Sequence, residues 1–534
     1  MSGLQAAAAP APGPSLAAGR HWILFFLAVG LGARLVRYLL SFPLWDDEAF
    51  LCTSLIDRGY LGLLETLDCH QVAPFLFLWI ELSVTRLLAF NELALRLFPV
   101  ACGLAALVLF RRMAGRLLTG SAEVVAIALF CVSYPCIRLF AEAKQYSSDM
   151  FASIALMTLA LAWLRRPEKA RLLWLLVALT PVAIFLSYPS VFVLGGVSLM
   201  VLAALRTRAR RRDWIAWVAL NLVLVASFAV MLQISSSQSS AELDYMTSTW
   251  DDSFPPAVTQ PLRFLAWVLD VHTGDMLAYP MRGRVGVLAA LLCGAGIVAF
   301  VRARRWNWLV LFLTPFLLHF VAACLHRYPY GDSMKFTFYM APVICVLAGR
   351  GAAELLAFRP RRFAARRQVL TGFLVILGII GAGSIVRDVA HPYKTLSDLR
   401  NRAFARWFWF NAEFQGESAC LTTDFGVEVM PELFIRLNWA AEYFCNQKIY
   451  SPRRARGEPL QLERVSADWP LRVAMYRPGK LSFDQSALDA WLEEMDGRFQ
   501  LVARDSMPVP RYAKNERRLV TVDYLETFKF VPRY

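Results

Sequence analysis

Carboxylates cluster at one point of the chain, directly after its first long apolar run. Asp46, Asp47 and Glu48 follow an apolar stretch over residues 22–44. Charged side chains are costly in hydrocarbon, so carboxylates at a membrane boundary form either a solvated helix end or a working site. In a working site, a carboxylate beside a hydroxyl can act as a general base.

Three later segments also combine ionisable side chains with tyrosine, histidine or glutamine. Each segment has an ordinary explanation: a loop histidine before a proline, an internal pair between Glu142 and Lys144, or headgroup anchors and an aromatic belt at helix ends. The candidate residues of these segments are His70, Gln71, Glu142, Lys144, Tyr146, Arg327, Tyr330, Asp332 and Lys335.

Two arginines lie inside the first apolar run itself. Arg34 is within roughly three helical turns of Asp46, and we predict that it pairs with an acid or a phosphate. Arg37 lies nearer the end of the run, where a long side chain can snorkel to the headgroups.

The composition indicates that lipid solvates much of this chain. Of its 534 residues 57% are hydrophobic and 18% charged, whereas soluble domains carry about 25% charged residues. A formal charge of +15 would suit nucleic acid. The arginines, however, lie in short gaps between apolar runs, where membrane topology explains them, and nucleic acid is excluded as a partner.

Apolar runs recur along the first 390 residues at lengths near the roughly 20 residues that a membrane span needs. The sequence therefore predicts a polytopic α-helical membrane protein with about eleven spans. The predicted spans are 22–44, 93–110, 121–137, 150–164, 172–187, 189–205, 214–233, 285–301, 307–325, 336–349 and 369–386.

Basic residues set the orientation, because Lys and Arg are enriched in cytoplasmic gaps. One alternate set of gaps holds most of them, from Arg111 and Arg112 to Arg366 and Arg367. An odd number of spans then gives a cytoplasmic N-terminus. The carboxylates of residues 46–48, the three later segments and everything after about residue 387 lie on the outer side.

Three regions are predicted. Residues 1–20, rich in Ala, Pro and Gly, form a disordered cytoplasmic tail, and residues 21–386 form the membrane domain. That domain includes an interfacial helix in the first outer loop. Residues 387–534 form an extracytoplasmic α/β domain, with strand-like runs at 471–476 and 519–522 and a helical pattern near 486–497.

Acids together with Arg, Lys and Tyr at one membrane boundary suit sugar transfer from a lipid-linked phospho-sugar. Basic side chains would hold the phosphate and stabilise it as a leaving group. A carboxylate would deprotonate an acceptor hydroxyl, whose one-step attack inverts the anomeric carbon. The sequence has no nucleotide-phosphate loop, which fits a donor that is not a soluble nucleotide.

Four motifs over roughly residues 20–390 resemble the GT-C membrane glycosyltransferases. The likeness is to the family-39-like group, which includes protein O-mannosyltransferases and bacterial lipid A aminoarabinose transferases. The motifs cover residues 45–49 (WDDEA), 68–75 (DCHQVAPF), 142–147 (EAKQYS) and 327–332 (RYPYGD). The last motif lacks the downstream Arg that usually completes it, and Lys335 is its candidate substitute.

The resemblance implies a polyprenyl-phosphate sugar donor, with Asp47 as base, Glu48 as a positioning residue and Asp46 as the rival base. It implies that the candidate residues named above, together with Arg34, bind the donor phosphate and sugar. No cofactor is assigned, and a divalent metal near the carboxylates stays open. The acceptor stays open among lipid, glycan and protein.

Two other classes of function compete with this one. A transporter or lipid flippase would need charges at mid-span and broken helices, and apart from Arg34 the spans are nearly free of charge. A second class, a membrane assembly protein with an outer interaction domain, does not account for the clustering of acidic residues with Arg and Tyr on one side of the membrane. We therefore predict a glycosyltransferase of the bacterial inner membrane with a periplasmic active face.

Overall fold

A computed structural model gives the fold of the chain. The residues that it describes are 16–67, 71–206, 210–238, 250–257, 259–274, 276–277, 279, 286–331, 333–358, 363–394, 396, 398–399, 402, 418–422, 470–477, 485–512 and 519–533.

The described residues up to 390 are almost entirely helical. The helices are α1 (Leu16–Leu39), α2 (Asp46–Asp57), α3 (Phe75–Leu88), α4 (Glu92–Leu117), α5 (Ser121–Val132), α6 (Tyr134–Arg138), α7 (Tyr146–Arg165), α8 (Arg171–Leu186), α9 (Ser190–Leu205), α10 (Arg211–Gln238), α11 (Pro261–Thr273), α12 (Gly286–Arg302), α13 (Trp306–Cys324), α14 (Met334–Thr337), α15 (Ala341–Phe358) and α16 (Phe363–Ala390).

The described helices account for every predicted span. Seven helical stretches are long and apolar enough to cross a membrane alone, and α5 with the segment after it forms an eighth that is bent by 51°. The remaining three predicted spans are the shorter apolar helices α8, α9 and α12. The structure thus confirms a polytopic helical membrane protein.

Three further helices lie in the connections between spans. The first outer loop contains α2, which ends at Asp57, and a 3-10 turn at Gly62–Leu64. The helical spacing over residues 55–65, from which an interfacial helix was predicted, therefore does not form one continuous helix. The apolar residues from Phe75 onward form α3, and the amphipathic stretch of the third outer loop forms α11.

Glycines allow some spans to pack with their backbones in contact. A Cβ at Gly296 of α12 would lie 2.1 Å from the carbonyl oxygen of Leu347 on α15. A Cβ at Gly351 of α15 would lie 1.9 Å from the carbonyl oxygen of Leu292 on α12. Small residues at such contacts let membrane helices approach closely, which favours van der Waals packing where no hydrophobic driving force acts.

The structure corrects the prediction for Arg34. Its buried guanidinium donates hydrogen bonds to the carbonyl oxygens of Cys131 at 3.0 Å and Phe130 at 3.2 Å, and to that of Gly30 at 2.9 Å. Cys131 and Phe130 lie at the C-terminal end of α5, where the helix break leaves carbonyls without intrahelical partners. Arg34 therefore caps the break, and it pairs with no acid among the described residues.

Arg37 is also buried and paired. Its Nη1 lies 2.9 Å from Oδ1 of Asp388 on α16, and its guanidinium stacks 4.0 Å from the centroid of the Phe42 ring. The first and last predicted spans are thus joined by an ion pair, so Arg37 does not snorkel.

The described part of the C-terminal region contains a four-stranded sheet and one helix. The strands are β1 (Ser418–Thr422), β2 (Leu471–Arg477), β3 (Phe499–Tyr512) and β4 (Leu519–Pro532), in the order β1-β2-β4-β3. Only the β1–β2 pair is parallel among these. Helix α17 (Gln485–Asp496) packs Leu488, Trp491 and Met495 on the sheet, so the predicted α/β character is confirmed.

Two smaller points concern the start of α1 and the cysteines. Helix α1 begins at Leu16, and the part of it that could cross a membrane begins at Gly19, close to the predicted bound at residue 21. Cys52 is a buried free thiol, and Cys69 lies outside the described residues.

Candidate active site

Asp47 lies in the first turn of α2, where acidic side chains are favoured by the helix dipole. Its Oδ2 accepts a hydrogen bond from Nζ of Lys335 at 2.8 Å and a long one from the hydroxyl of Tyr146 at 3.5 Å. The Asp47 side chain keeps 23% of its surface exposed. It is therefore a carboxylate that a substrate can reach.

Glu48, the next residue, has the opposite environment. Its carboxylate is 1% exposed and accepts two hydrogen bonds from Arg96 on α4, at 2.8 and 2.7 Å. It also accepts from the backbone amides of Ala143 at 2.6 Å and Trp45 at 3.3 Å. Glu48 thus fixes the start of α2 against α4 and against the segment before α7.

The segment before α7 brings a second lysine to this region. Nζ of Lys144 donates to Oε1 of Gln71 at 2.5 Å, which joins two of the predicted site residues. The side chain of Glu142 lies next to Arg138 and not Lys144: its Oε1 is 3.4 Å from Nε of Arg138. The Glu142 carboxylate is buried and has no hydrogen-bond partner among the described residues.

The candidate residues at and just before α14 lie in different places in the structure. Lys335 reaches Asp47, and its ammonium also lies 4.1 Å from the centroid of the Trp250 ring. Tyr330 instead places its hydroxyl 3.0 Å from Nε2 of His272 on α11, and Arg327 is exposed. Neither residue is brought to Asp47 by a contact, so the predicted donor-binding role of both lacks structural support.

Gly331 makes the turn between these residues. Its φ of +77° lies in the left-handed region, and a Cβ there would be 2.1 Å from Cγ1 of Val271. A glycine at this position lets the chain pass α11 closely before Lys335. Three predicted site groups, namely His70, Asp332 and the Asp46 side chain, lie outside what the structure describes.

Two basic residues of the site were not singled out by the sequence. Arg96 lies in the N-terminal part of a predicted span, where an isolated arginine carries no motif. Lys394 follows the last span, and its ammonium contacts the ring of Trp45. Contacts between segments so distant in the sequence follow from the tertiary fold, so spacing alone could not have revealed them.

The charges around Asp47 keep it ionised. Burial by itself would raise the pKa of Asp47, but the positive charges of Lys335, Lys144 and Lys394 outweigh it and lower the pKa below its usual value. Burial also lowers the pKa of Lys144 and brings that of Lys394 to about 7. Three basic groups thus act on one carboxylate, and this excess of positive charge suits an anionic substrate.

No group of three or more His, Cys, Asp or Glu side chains suited to a metal ion occurs within the described ranges. Asp47 and Glu48, the carboxylates of the site, are instead held by lysine and arginine.

The fold of the chain is similar to that of solved membrane proteins. The structure resembles two crystal structures of ArnT from Cupriavidus metallidurans, one in the apo state and one bound to undecaprenyl phosphate. Sequence identity is 14% in both cases, the matches cover 95% of this chain and 98% of ArnT, and the TM-scores are 0.51 and 0.52. The chain has the GT-C fold.

The GT-C fold confirms the resemblance that the four motifs carry. No protein-family model matches the sequence, and no curated protein matches it. The likeness that the comparisons show is therefore one of fold.

Proposed function

We propose that this protein is a membrane glycosyltransferase that moves a sugar from a polyprenyl-phosphate carrier to an acceptor hydroxyl. The observation that carries the proposal is the pair of neighbouring carboxylates. Asp47 is reachable and surrounded by ammonium groups, whereas Glu48 is buried and fully hydrogen-bonded. The undecaprenyl phosphate bound to ArnT, which shares the fold, supports a donor of this class.

The lysines give the reaction its electrostatic stabilisation. Lys335, Lys144 and Lys394 act on the same region, so a donor phosphate there would meet several ammonium groups. As the bond between the anomeric carbon and the phosphate oxygen breaks, its electron pair passes to the phosphate. Ammonium groups already in place stabilise that developing charge without reorganisation.

Asp47 acts as the general base. Its lowered pKa keeps it ionised before the donor binds, and a bound phosphate would offset the lysine charges and raise its basicity. It then takes the proton of the acceptor hydroxyl, whose oxygen attacks the anomeric carbon on the face opposite the phosphate. The product is an inverted glycoside, and the carrier leaves as a polyprenyl phosphate.

The protein works from the outer face of the bacterial inner membrane in this proposal. The arginine-rich gaps between spans support a cytoplasmic N-terminus and an outer location for Asp47. Residues 387–534 would then be periplasmic, with the bounds 1–20, 21–386 and 387–534 as the proposed division. The acceptor is a hydroxyl of a lipid, a glycan or a protein on that side.

Sugar transfer in membranes tests the assignment of the base. We expect Asp47→Asn to reduce transfer from a radiolabelled polyprenyl-phosphate sugar pool by at least about 100-fold, the usual contribution of a general base. Asp46→Asn is the matched control, since it removes the same charge one residue earlier and should only weaken transfer. Amounts and melting temperatures of the purified variants exclude misfolding.

Three results would count against the proposal. Transfer that persists in both variants would make these acids a solvated helix end. Loss in Asp46→Asn alone would move the base by one residue. A wild-type chain that transfers no sugar from any pool would favour a transporter, a flippase or an assembly protein.

A further inference from the structure

A large cavity lies among the described helices at a place that the proposed reaction does not use. Its volume is about 620 Å³, which is within the range of ligand sites in proteins. Five of the residues that line it are arginines, and no described lining residue is acidic. The arginines are Arg116, Arg165, Arg304, Arg305 and Arg350.

The cavity is at the opposite end of the helix bundle from Asp47. Helix α4 holds Glu48 through Arg96 and reaches the cavity through Arg116, twenty residues later, which is about 30 Å of helix. Helix α7 begins at Tyr146 beside Asp47 and ends at Arg165 in the cavity wall. Both helices traverse about the thickness of a bilayer core between the two sites.

Helix dipoles and topology explain part of this charge. Arg116 and Arg165 end their helices, where cations are stabilised by the dipole. Arg304 and Arg305 belong to no helix, and Arg350 lies in the middle of α15. The charges of Arg116 and Arg305 act on Arg165, so like charges face one another across the cavity.

Arg304 occupies a backbone position that normally favours glycine. Its φ is +51°, in the turn that follows α12. A non-glycine residue in this region is strained, and such strain is commonly kept where a side chain has a function. The Arg304 side chain is exposed and lines the cavity.

The rim of the cavity has the character of a membrane boundary. Trp306 is 56% exposed, and Trp308 stacks with Arg305 at 4.9 Å. Tryptophans of this kind lie at headgroup depth, and apolar residues such as Phe300 and Leu164 complete the wall. A ligand here would have both an anionic part for the arginines and an apolar part for the membrane side.

We propose that this cavity binds the headgroup of an anionic phospholipid that carries two phosphates. Arg350 pairs with Glu354 at 3.0 Å, and the remaining four arginines exceed what one phosphate engages. Basic pockets between spans on the cytoplasmic side suit such headgroups. The site is independent of the transfer reaction, because it lies at the other end of the bundle and shares no lining residue with the Asp47 site.

Native mass spectrometry of the full chain, released from phosphatidylcholine nanodiscs with or without cardiolipin, tests the proposal. We expect the wild type to retain cardiolipin and Arg304→Gly/Arg305→Gln to lose at least about 10-fold in affinity, which corresponds to about 1.4 kcal/mol. The glycine relieves the backbone strain at residue 304, so the melting temperature should not fall. Arg302→Gln is the matched control, because Arg302 is exposed in the same turn region and does not line the cavity.

A second arm uses inorganic pyrophosphate with nanodiscs of phosphatidylcholine alone. Retention of cardiolipin that survives in the double variant, or an equal loss in Arg302→Gln, would overturn the proposal and leave the arginines as topological charge. Binding of pyrophosphate without retention of cardiolipin would overturn the proposal that the ligand is a lipid, and would make the cavity a site for a soluble anion.

Discussion

Asp47 and Glu48 show how two adjacent residues of similar chemistry acquire different roles. The first turn of α2 points one carboxylate at lysines of distant segments and the other at Arg96. Removing one partner of a buried ion pair costs about 3–5 kcal/mol, so Glu48 and Arg96 stabilise the frame of the site. Asp47 remains available to a substrate because its side chain is partly exposed.

Lys394 predicts a pH dependence of stability. Burial lowers its pKa from 10.5 to about 7, so between these values the unfolded chain binds more protons at this residue than the folded chain does. The contribution of Lys394 to stability therefore rises with pH across that window, by up to about 1.4 kcal/mol per pH unit. Below pH 7 the cost of burying the ammonium is present in full.

Thermal unfolding in detergent at pH 6 to 9 measures this effect. We expect Lys394→Met to have a higher melting temperature than the wild type at pH 6, with a smaller difference at pH 9. A difference independent of pH would mean that Lys394 is solvated in the folded protein.

At the level of single residues, the sequence revealed those that belong to recognisable motifs. Asp47 and Lys335 were found because they lie at the ends of apolar runs. Arg34 was found but not its partners, since two of its three carbonyl acceptors, Cys131 and Phe130, lie at the end of α5, which breaks at Ser133. Lys394 and Arg96 were missed because their partners are set by tertiary contacts.

Among the helices, the pair α12 and α15 depends on glycine. We expect Gly296→Ala to lower the melting temperature by several degrees, because its Cβ would overlap the carbonyl oxygen of Leu347. Overpacking of this kind costs about 1–3 kcal/mol. Gly294→Ala on the same helix is the control, since nothing lies within 4 Å of its added Cβ.

Equal melting temperatures for the two alanine variants would show that α12 and α15 can separate without cost. For the helices, the length of the apolar runs predicted every span. The change of chain direction at Ser133, between α5 and α6, was not predicted. Residues 121–137 form one apolar run in the sequence, and nothing in that run indicates a bend.

For the whole molecule, the arginine-rich gaps predict which ends of the helices face the cytoplasm. We expect a membrane-impermeant maleimide to label Leu61→Cys in spheroplasts, because Leu61 is 76% exposed in the first outer loop. Arg302→Cys should be labelled only after permeabilisation. Both variants need a background in which the exposed thiol Cys324 and the cysteines of the outer segments, Cys69, Cys420 and Cys445, are replaced by serine.

The reverse labelling pattern would place Asp47 in the cytoplasm and invert the proposed topology.

Composition predicted a membrane protein, because too few charged residues are present for a soluble fold. The relative placement of the spans depends on side-chain packing, which periodicity does not specify, so the meeting of α2, α7 and α14 at one carboxylate needed the structure.

The buried arginines of α1 have a consequence for biogenesis. An arginine inside a span costs about 2.5–3.5 kcal/mol during insertion at the translocon. Arg34 meets its carbonyl acceptor at Cys131 only after 97 more residues are synthesised, and Arg37 meets Asp388 only after 351. The first span to be made is thus completed by the last span to be made, so a nascent chain released before α16 would carry an unpaired cation for quality-control proteases to recognise.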